Sequence, residues 1–274
     1  MLTLVGAALA ACSGAVPPAP ALDVALVQQR GDIVAERVQL RVTNTSAEAV
    51  TLTGARLSSA VLEGAGGGET ARPVTIEPGR TTDLPVPLPP VRCGVGDAAA
   101  EADLRVDDGR GLRDVTAAVR DQLGVLARLS AAQCDRDALS AVAVVAATAV
   151  TPGIDGFAGL VLSIDPVSID PAGEDTAGSL VLEAVRGTPL LRFAGGDEAP
   201  LALTVTRGDA SSTVTVPVTP IRCDAHAIAE DKVGTRFDLV AVVEGREIVV
   251  PLQRSDAVAA GLLAFVAETC GLTP

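Results

Sequence analysis

Aromatic side chains are almost absent from this chain. Its 274 residues include four Phe, no Trp and no Tyr. Sugar-binding faces and glycosidase subsites usually depend on aromatic stacking, so the composition disfavours carbohydrate as a ligand. Any hydrophobic core must instead be built mainly from Val, Leu, Ile and Ala. The four Phe all fall in the second half of the chain, at Phe157, Phe193, Phe237 and Phe265.

Histidine is rarer still, and its scarcity removes several classes of enzyme. The one histidine is His226. A serine triad needs a histidine beside an activated serine, and zinc hydrolases usually need more than one histidine, but neither G-x-S-x-G nor H-E-x-x-H occurs. Blue-copper sites need two histidines. We therefore predict no catalytic residues, no cofactor and no enzymatic activity, although a pair of converging carboxylates stays open as a catalytic option.

A weak candidate for a metal or proton-transfer site lies just after Cys223. If this segment is helical, His226 and Glu230 share one face at the i, i+4 step. Such a pair can bind a divalent ion or transfer a proton. Two ligands do not complete a site, and residues 94–101 of the first half hold no histidine at the corresponding place. We prefer a solvated helix here and keep a metal- or carboxylate-dependent extracytoplasmic hydrolase as the alternative function.

Basic residues are in the minority. The chain has 21 basic and 34 acidic residues and a formal net charge of −13. The acidic residues are spread along the sequence rather than gathered in runs, and their field repels phosphate polymers. We predict that nucleic acid is not a partner and that the acidity serves solubility at a cell surface.

Long apolar runs are missing too, which excludes an ordinary spanning helix of about 20 apolar residues. Leu2–Ala11 carries no charge and is followed directly by Cys12. The order Leu9, Ala10, Ala11, Cys12 resembles the lipobox of bacterial lipoproteins. The resemblance implies a signal peptide over residues 1–11, a lipidated Cys12 and attachment to the outer face of the cell membrane, where two acyl chains anchor stably. The alternative is that Leu2–Ala11 is a buried first strand or a frayed terminus and that Cys12 is a spare thiol.

The remaining four cysteines occupy matching places in two halves of the chain. Pro87–Cys93 and Pro217–Cys223 share the pattern Pro, two residues, Pro, an aliphatic residue, Arg, Cys. In each half a strand-like stretch precedes this motif, and a helix-like stretch precedes a second cysteine, Cys134 or Cys270. Agreement in both order and distance indicates an internal duplication.

Four cysteines allow three pairings. A duplicated unit that folds alone should close its own loop, which favours disulfides between Cys93 and Cys134 and between Cys223 and Cys270. A metal site would need ligands at chelating spacing, and only Cys223 has such a neighbour, in His226. Export favours disulfides over free thiols, and loops of this length would each stabilise the fold by up to about 4 kcal/mol.

Two-residue alternation predicts that both halves are mainly β. Val38, Leu40 and Val42 should face one side of a half-buried strand, while Gln39, Arg41 and Thr43 face the other. Hairpins are predicted over residues 102–112 and 237–252, with turns at Asp107–Gly109 and Glu244–Gly245. Short strands at this spacing favour two tandem β-sandwiches that are immunoglobulin-like in general class. Neither half has the buried Trp or the tyrosine corner of immunoglobulin domains.

Each half should end in a helix that a disulfide pins to its sheets. The first is predicted over Asp121–Ala132, and the second begins at a cap formed by Ser255 or Asp256. We expect a linker over residues 12–21, a first repeat over 22–135 and a second over 136–274. The whole chain also resembles exported proteins of high-GC Gram-positive bacteria that carry the Arg-Cys motif twice, a resemblance that implies no activity.

Several glycine and aspartate segments are interpreted as turns. Gly64–Gly68 is predicted to be a mobile loop. Asp107–Gly109, Ser163–Pro166 and Ser168–Pro171 faintly resemble calcium loops, but the D-x-D-x-D-G spacing is absent and turn formation explains them. Taken together, the sequence predicts a lipid-anchored envelope protein that acts as a spacer or as a binding module for another, unidentified envelope protein.

Overall fold

The computed structural model describes residues 19–95, 99–169, 178–225 and 234–272, and this part of the chain is mainly β. Its elements form two compact units. Unit 1 holds the described residues to Ser59, Gly64–Pro89 and Ala99–Leu123, and unit 2 holds Ala60–Glu63, residues 90–95 and the described residues from Gly124 onward. The described strands of unit 1 are β1 (Leu22–Val27), β2 (Arg37–Asn44), β3 (Val50–Ser59), β4 (Gly66–Ile76), β5 (Thr81–Pro87), β6 (Ala100–Asp107) and β7 (Leu112–Arg120).

Unit 1 is built from one seven-stranded sheet with the order β4-β3-β6-β7-β1-β2-β5. Strand β5 also contacts β3 and β4, at the opposite end of that order, so the sheet folds over into two layers. All neighbours are antiparallel except β1 and β7, which pair in parallel through Val24 opposite Val119. In immunoglobulin letters, β4-β3-β6-β7 corresponds to C′-C-F-G and β1-β2-β5 to A-B-E.

The core of unit 1 is aliphatic. Val38, Leu40 and Val42 on β2 are fully buried, which confirms the predicted alternation of this strand. Gln39, predicted to face solvent, is also buried, because its side chain donates to the Asp32 carboxylate at 2.7 Å. Other core members are Val24, Leu26, Leu52, Leu57, Leu84, Val86, Leu104 and Val106.

The described strands of unit 2 are β8 (Ala143–Pro152), β9 (Ala158–Pro166), β10 (Ser179–Arg186), β11 (Leu191–Phe193), β12 (Glu198–Thr206), β13 (Ser212–Pro220), β14 (Asp238–Val243), β15 (Arg246–Pro251) and β16 (Gln253–Arg254). They form two sheets with the orders β12-β10-β14-β15 and β11-β13-β9-β8-β16. Strands β8 and β16 pair in parallel, with Gln253 opposite Ala146, as the first and last strands of unit 1 do. The predicted hairpin at Glu244 is present between β14 and β15.

Two phenylalanines pack at the centre of unit 2. The rings of Phe193 and Phe237 lie 5.8 Å apart, measured between centroids, within the range of favourable aromatic pairs. Around them are buried aliphatic side chains from both sheets of the unit, among them Leu160, Leu182 and Leu239.

The described part of the chain has three helices, α1 (Arg30–Val34), α2 (Val125–Ser140) and α3 (Asp256–Thr269). Helix α3 begins as predicted, with the Ser255 hydroxyl accepting from the Val258 amide at 3.2 Å. Helix α2 begins and ends later than the predicted range 121–132. It packs against β8, β14 and β15, and compact unit 2 includes the described residues from Gly124 onward. The predicted repeat boundaries stay a prediction. No helix among the described residues is long and apolar enough to cross a bilayer.

Both expected disulfides are present, and both lie within unit 2. Cys93 is bonded to Cys134 with an S–S distance of 2.01 Å, and Cys223 to Cys270 with 1.98 Å. Cys134 lies within α2, and Cys270 is the C-terminal cap of α3. Each bond therefore joins a segment that follows a β-strand to a helix.

The prediction of a mobile loop at Gly64–Gly68 is wrong, because β4 begins at Gly66. A Cβ atom on Gly66 would lie 2.3 Å from the Pro87 carbonyl oxygen. Gly67, at φ +96°, would place a Cβ 2.3 Å from the Ala55 carbonyl oxygen. These glycines therefore allow two backbones to approach closely, which is a strand role that glycine can also serve.

The predicted turns have mixed outcomes. At Asp107–Gly109 the turn is confirmed, since the Asp107 carboxylate accepts from the Gly109 amide at 2.9 Å. Ser163–Pro166 is not a turn but the end of β9, where Ile164 is buried opposite Val145. The segment Ser168–Pro171 lies partly outside the described residues.

Candidate functional site

Only some of the site residues predicted from the sequence lie within the part of the chain that the structure describes. Cys12, His226 and Glu230 lie outside the described residues, so lipidation and the weak metal candidate stay predictions. Within the described ranges, no group of three or more His, Cys, Asp or Glu side chains is placed to hold a metal ion. The features that sequence reasoning missed lie instead on the sheet surfaces.

Strands β3 and β10 carry the same local irregularity. In β3 the pairing register shifts between Leu52 and Gly54, and in β10 it shifts between Leu182 and Ala184. A register shift of this kind is a β-bulge, which bends the strand and redirects its side chains. Two residues after each shift comes an arginine, Arg56 or Arg186, at the same position of the two units.

Each of these arginines lies opposite an aspartate on the next strand. In the strand register, Arg56 on β3 lies opposite Asp103 on β6, and Arg186 on β10 lies opposite Asp238 on β14. Directly opposed side chains of opposite charge stabilise a sheet modestly. The repeated positions place a charged patch on the C′-C-F-G surface of each unit.

Additional charges complete each patch. We call Arg56, Glu69, Asp103, Arg105 and Asp114 the charged face of unit 1. The charged face of unit 2 consists of Arg186, Glu198, Asp238 and Glu247.

In unit 2 the charged face is closed by its own ion pairs. Arg186 Nε lies 2.8 Å from Glu198 Oε1, and the same guanidinium lies 4.0 Å from the Glu247 carboxylate. The hydrogen bond to Glu198 raises the pKa of Arg186. Burial raises the pKa of Asp238, an effect that the Arg186 charge only partly opposes. The single arginine is thus already occupied by its carboxylate neighbours.

In unit 1 the corresponding face is open. A cleft of about 410 Å³ is lined there by Gly54, Ala55, Arg56, Gly68, Glu69, Asp103, Arg105 and Asp114. Gly54 forms part of the floor, and a Cβ on it would lie 3.2 Å from the Gly68 carbonyl oxygen and 3.3 Å from the Arg105 Cβ. The matching position in unit 2 is Ala184. A missing methyl group therefore helps to keep the cleft of unit 1 empty.

The charges around this cleft are unequally satisfied. Asp103 accepts a hydrogen bond from the Thr116 hydroxyl at 2.7 Å. Arg105 reaches toward Glu69, but its nearest nitrogen is still 3.8 Å from the carboxylate oxygen. Arg56 and Asp114 form no hydrogen bond or ion pair with any described residue. One cation and one anion on the rim are therefore available to a ligand.

The sequence does hold a signal for these faces. Residues 52–56 and 182–186 share the pattern Leu, any residue, a small residue, an aliphatic residue, Arg. Asp103 and Asp238 are each followed by Leu. A search for repeats outside the cysteine motif would have found both segments, although neither reveals that the Arg and Asp meet across strands.

A second polar cluster in unit 1 has a structural role. The buried Asp32 carboxylate accepts from Arg37 Nε and Gln39 Nε2 at 2.7 Å each and from the Gln29 amide at 2.9 Å. Burial alone would raise the pKa of Asp32, but the hydrogen bonds from Arg37, Gln29 and Gln39 and the Arg37 charge lower it on balance. The network fixes the segment between β1 and β2.

Comparison with known proteins does not assign the chain to a family. A scan against protein-family models finds no match, and a search of curated proteins finds none either. Several solved structures align with the chain at low similarity. One is the chaperone–tip adhesion subunit pre-assembly complex CsuC–CsuE from the archaic chaperone-usher Csu pili of Acinetobacter baumannii, at TM-score 0.21 and 11% identity over 80% of this chain and 92% of that chain.

Two other solved structures align in a similar way. The B domain of a biofilm-associated protein has TM-score 0.21 and 10% identity over 93% of this chain and 90% of its own. The calcium-binding domain CBD12 of CALX1.1 has TM-score 0.23 and 10% identity over 87% and 82%. Values this low carry no argument about function. The β-sandwich class of the units is supported by their own strand orders.

Proposed function

We propose that this protein is a lipid-anchored, non-enzymatic envelope protein whose tandem β-sandwiches bind another protein through the charged face of unit 1. The observation that carries the proposal is the open cleft, with Gly54 at its floor and with Arg56 and Asp114 unpartnered among the described residues. Exposed charged groups that have no partner within the fold can complement opposite charges on another molecule.

The tandem arrangement is supported by features that recur in order. Each unit has the bulge on strand C, the Arg opposite Asp between strands C and F, and the parallel pairing of its first and last strands. Each set of strands is followed by a helix that contains or ends in a disulfide-bonded cysteine. Recurrence of several independent features is what a duplicated ancestral domain would leave.

A location outside the cytoplasm is supported by the two disulfides, since such bonds persist in oxidising compartments. The anchor itself is the proposal drawn from the lipobox-like residues that end at Cys12. Intact mass spectrometry of the native protein tests it. Acyl mass on Cys12 of the processed chain is the expected result, and an unmodified chain that retains residues 1–11 would contradict the anchor.

Cross-linking on intact cells, followed by mass spectrometry of the captured protein, tests the binding function. We expect a specific partner with the natural sequence and its loss with Arg56→Glu. Arg80→Glu is the matched control. Arg80 is exposed in the β4–β5 turn, and its substitution changes the charge by the same amount at a residue that does not line the cleft. Equal capture by both variants, or no specific capture by any, would contradict the proposal.

A further inference from the structure

We infer that the two charged faces have diverged and that only the face of unit 1 takes a ligand, a short peptide segment bearing one carboxylate and one cationic group. This inference rests on the proposed function and adds to it the location and the chemistry of recognition. It starts from the equivalence of Arg56 and Arg186 established by the matching bulges.

At Arg186 a ligand carboxylate must compete with a carboxylate of the protein itself. A ligand carboxylate that approaches Arg186 must displace Glu198 from a 2.8 Å hydrogen bond. Arg56 has no such bond to break among the described residues. Because an unsatisfied exposed arginine loses only water on binding, the same ligand group gains more at Arg56 than at Arg186.

The two units also differ in the side chain that lies two residues before the arginine. At the position of Gly54, unit 2 carries Ala184, whose side chain is buried. In unit 1 the equivalent methyl group would stand within 3.3 Å of the Arg105 Cβ. Gly54 therefore lines the cleft together with Arg56 and Asp114 and adds no side chain to it.

The two charged groups without partners in unit 1 determine which charges a ligand must carry. Arg56 lies on β3, and Asp114 lies two strands away on β7, opposite Arg105. Between these two free groups stand Asp103 and Arg105, which have partners. A ligand that satisfies both free groups carries opposite charges at separated points. An extended peptide lying across the open sheet surface presents side chains in this way.

The test uses the full chain labelled with ¹⁵N and the blocked tripeptide acetyl-Glu-Ala-Lys-amide as a probe at millimolar concentrations. We expect shifts of the amide resonances of Gly54, Arg56 and Gly68 and none around Ala184 and Arg186. Probes with Gln in place of Glu, or Gln in place of Lys, should bind about tenfold more weakly, the loss expected for one charged hydrogen bond.

Matched variants separate binding from folding. Arg56→Gln should weaken the probe about tenfold, whereas Arg186→Gln should leave its affinity unchanged. Gly54→Ala, which gives unit 1 the residue of unit 2, should also weaken it. All resonances outside the cleft report that each variant is folded. Binding that is equal in Arg56→Gln and Arg186→Gln, or shifts at unit 2, would overturn the inference.

Two outcomes distinguish this inference from the proposed function. If cells yield a partner that depends on Arg56 but the tripeptide gives no shift, the ligand chemistry is wrong and the binding function stands. If the tripeptide binds as expected but cells yield no partner, the function is wrong and the site stands. A response to glycerophosphoethanolamine without a response to the peptide would assign the cleft to a lipid headgroup and overturn the peptide.

Discussion

Units 1 and 2 share the sheet order C′-C-F-G but differ in what fills and holds their cores. No Phe occurs in the residue ranges of unit 1, its core is aliphatic, and its loops are held by buried polar groups such as Asp32 and Asn44. Unit 2 contains the cysteines of both disulfides and the Phe193–Phe237 pair. The Cys93–Cys134 bond nevertheless closes a loop that contains β6 and β7 of unit 1. One sheet order can therefore be combined with a purely aliphatic core or with a partly aromatic one.

The buried side chain of Asn44 in unit 1 has all of its main hydrogen-bonding groups satisfied. Its side-chain amide donates to the carbonyl oxygens of Glu48 and Ile76 at 2.8 and 2.9 Å. Its side-chain oxygen accepts from the Ser46 amide at 2.9 Å. A buried amide with every partner in place costs little and fixes one loop geometry. Asn44 is thus the anchor of the β2–β3 connection.

The largest difference between the units should appear on reduction. The two disulfides span 41 and 47 residues, and cleavage of each should destabilise the protein by at most about 4 kcal/mol. Hydrogen exchange in increasing urea should show early loss of protection in unit 2 and in β6 and β7 of unit 1, which lie inside the Cys93–Cys134 loop, while the other strands of unit 1 keep their protection longer. Protein alkylated without reduction is the control. Equal loss of protection in all strands of both units would contradict this local effect of the two bonds.

Aromatic burial should give the next effect. Phe237→Ala should cost about 3–5 kcal/mol through lost burial and the cavity it leaves. Phe237→Leu keeps most of the volume and should cost less than about 1.5 kcal/mol if neighbours repack. Urea denaturation followed by unit-specific amide signals measures both. If the two variants were equally destabilised, the ring contact with Phe193 rather than the volume would carry the stability.

Acid should affect unit 1 through Asp32. Because the folded pKa of Asp32 is lowered, its contribution is present above the unfolded pKa of about 3.9 and is lost as pH falls through the folded pKa. Asp32→Asn should cost about 2 kcal/mol at neutral pH and remove part of this acid dependence. Asp23→Asn, at an exposed ion pair with Arg120, is the control, and a similar loss there would refute the special role of Asp32.

Asp238 should give the smallest effect, with the opposite sign. Burial raises its folded pKa, so it favours the folded state most below the unfolded pKa, and this advantage is lost as pH rises through the folded pKa. Asp238→Asn should therefore raise the melting temperature of unit 2 at neutral pH and leave it unchanged in acid. A lower melting temperature at neutral pH would mean that its pairing with Arg186 outweighs its burial.

Much of the fold was predictable because it depends on local patterns. Alternation located β2 and the β6–β7 hairpin, and the Ser255 cap located the start of α3. The glycines at 66 and 67 misled the interpretation, since glycine marks both turns and close backbone contacts. The carbonyl oxygens of Ala55 and Pro87, which lie against these glycines, show that here they serve close backbone contact rather than a turn. Those carbonyls come from other strands, which no short segment reveals.

The candidate site was much less accessible to sequence reasoning. Attention to rare residues led to His226, whereas the charged faces are made of common ones. Arg56 and Asp103 become neighbours only when β3 and β6 pair, after a bulge that sets their register. The contrast between the faces depends on which carboxylate reaches which guanidinium. Such distances follow from tertiary geometry rather than from residue type or spacing.

The parallel contact between the first and last strands of each unit has a mechanical consequence. In unit 1 a pull on the two ends would draw β1 and β7 past each other lengthwise, since they run in the same direction. Their hydrogen bonds would then bear the load together rather than open one after another. This geometry resists extension of unit 1, and the Cys93–Cys134 bond, which closes the loop containing β6 and β7, limits the length that a rupture of unit 1 could release.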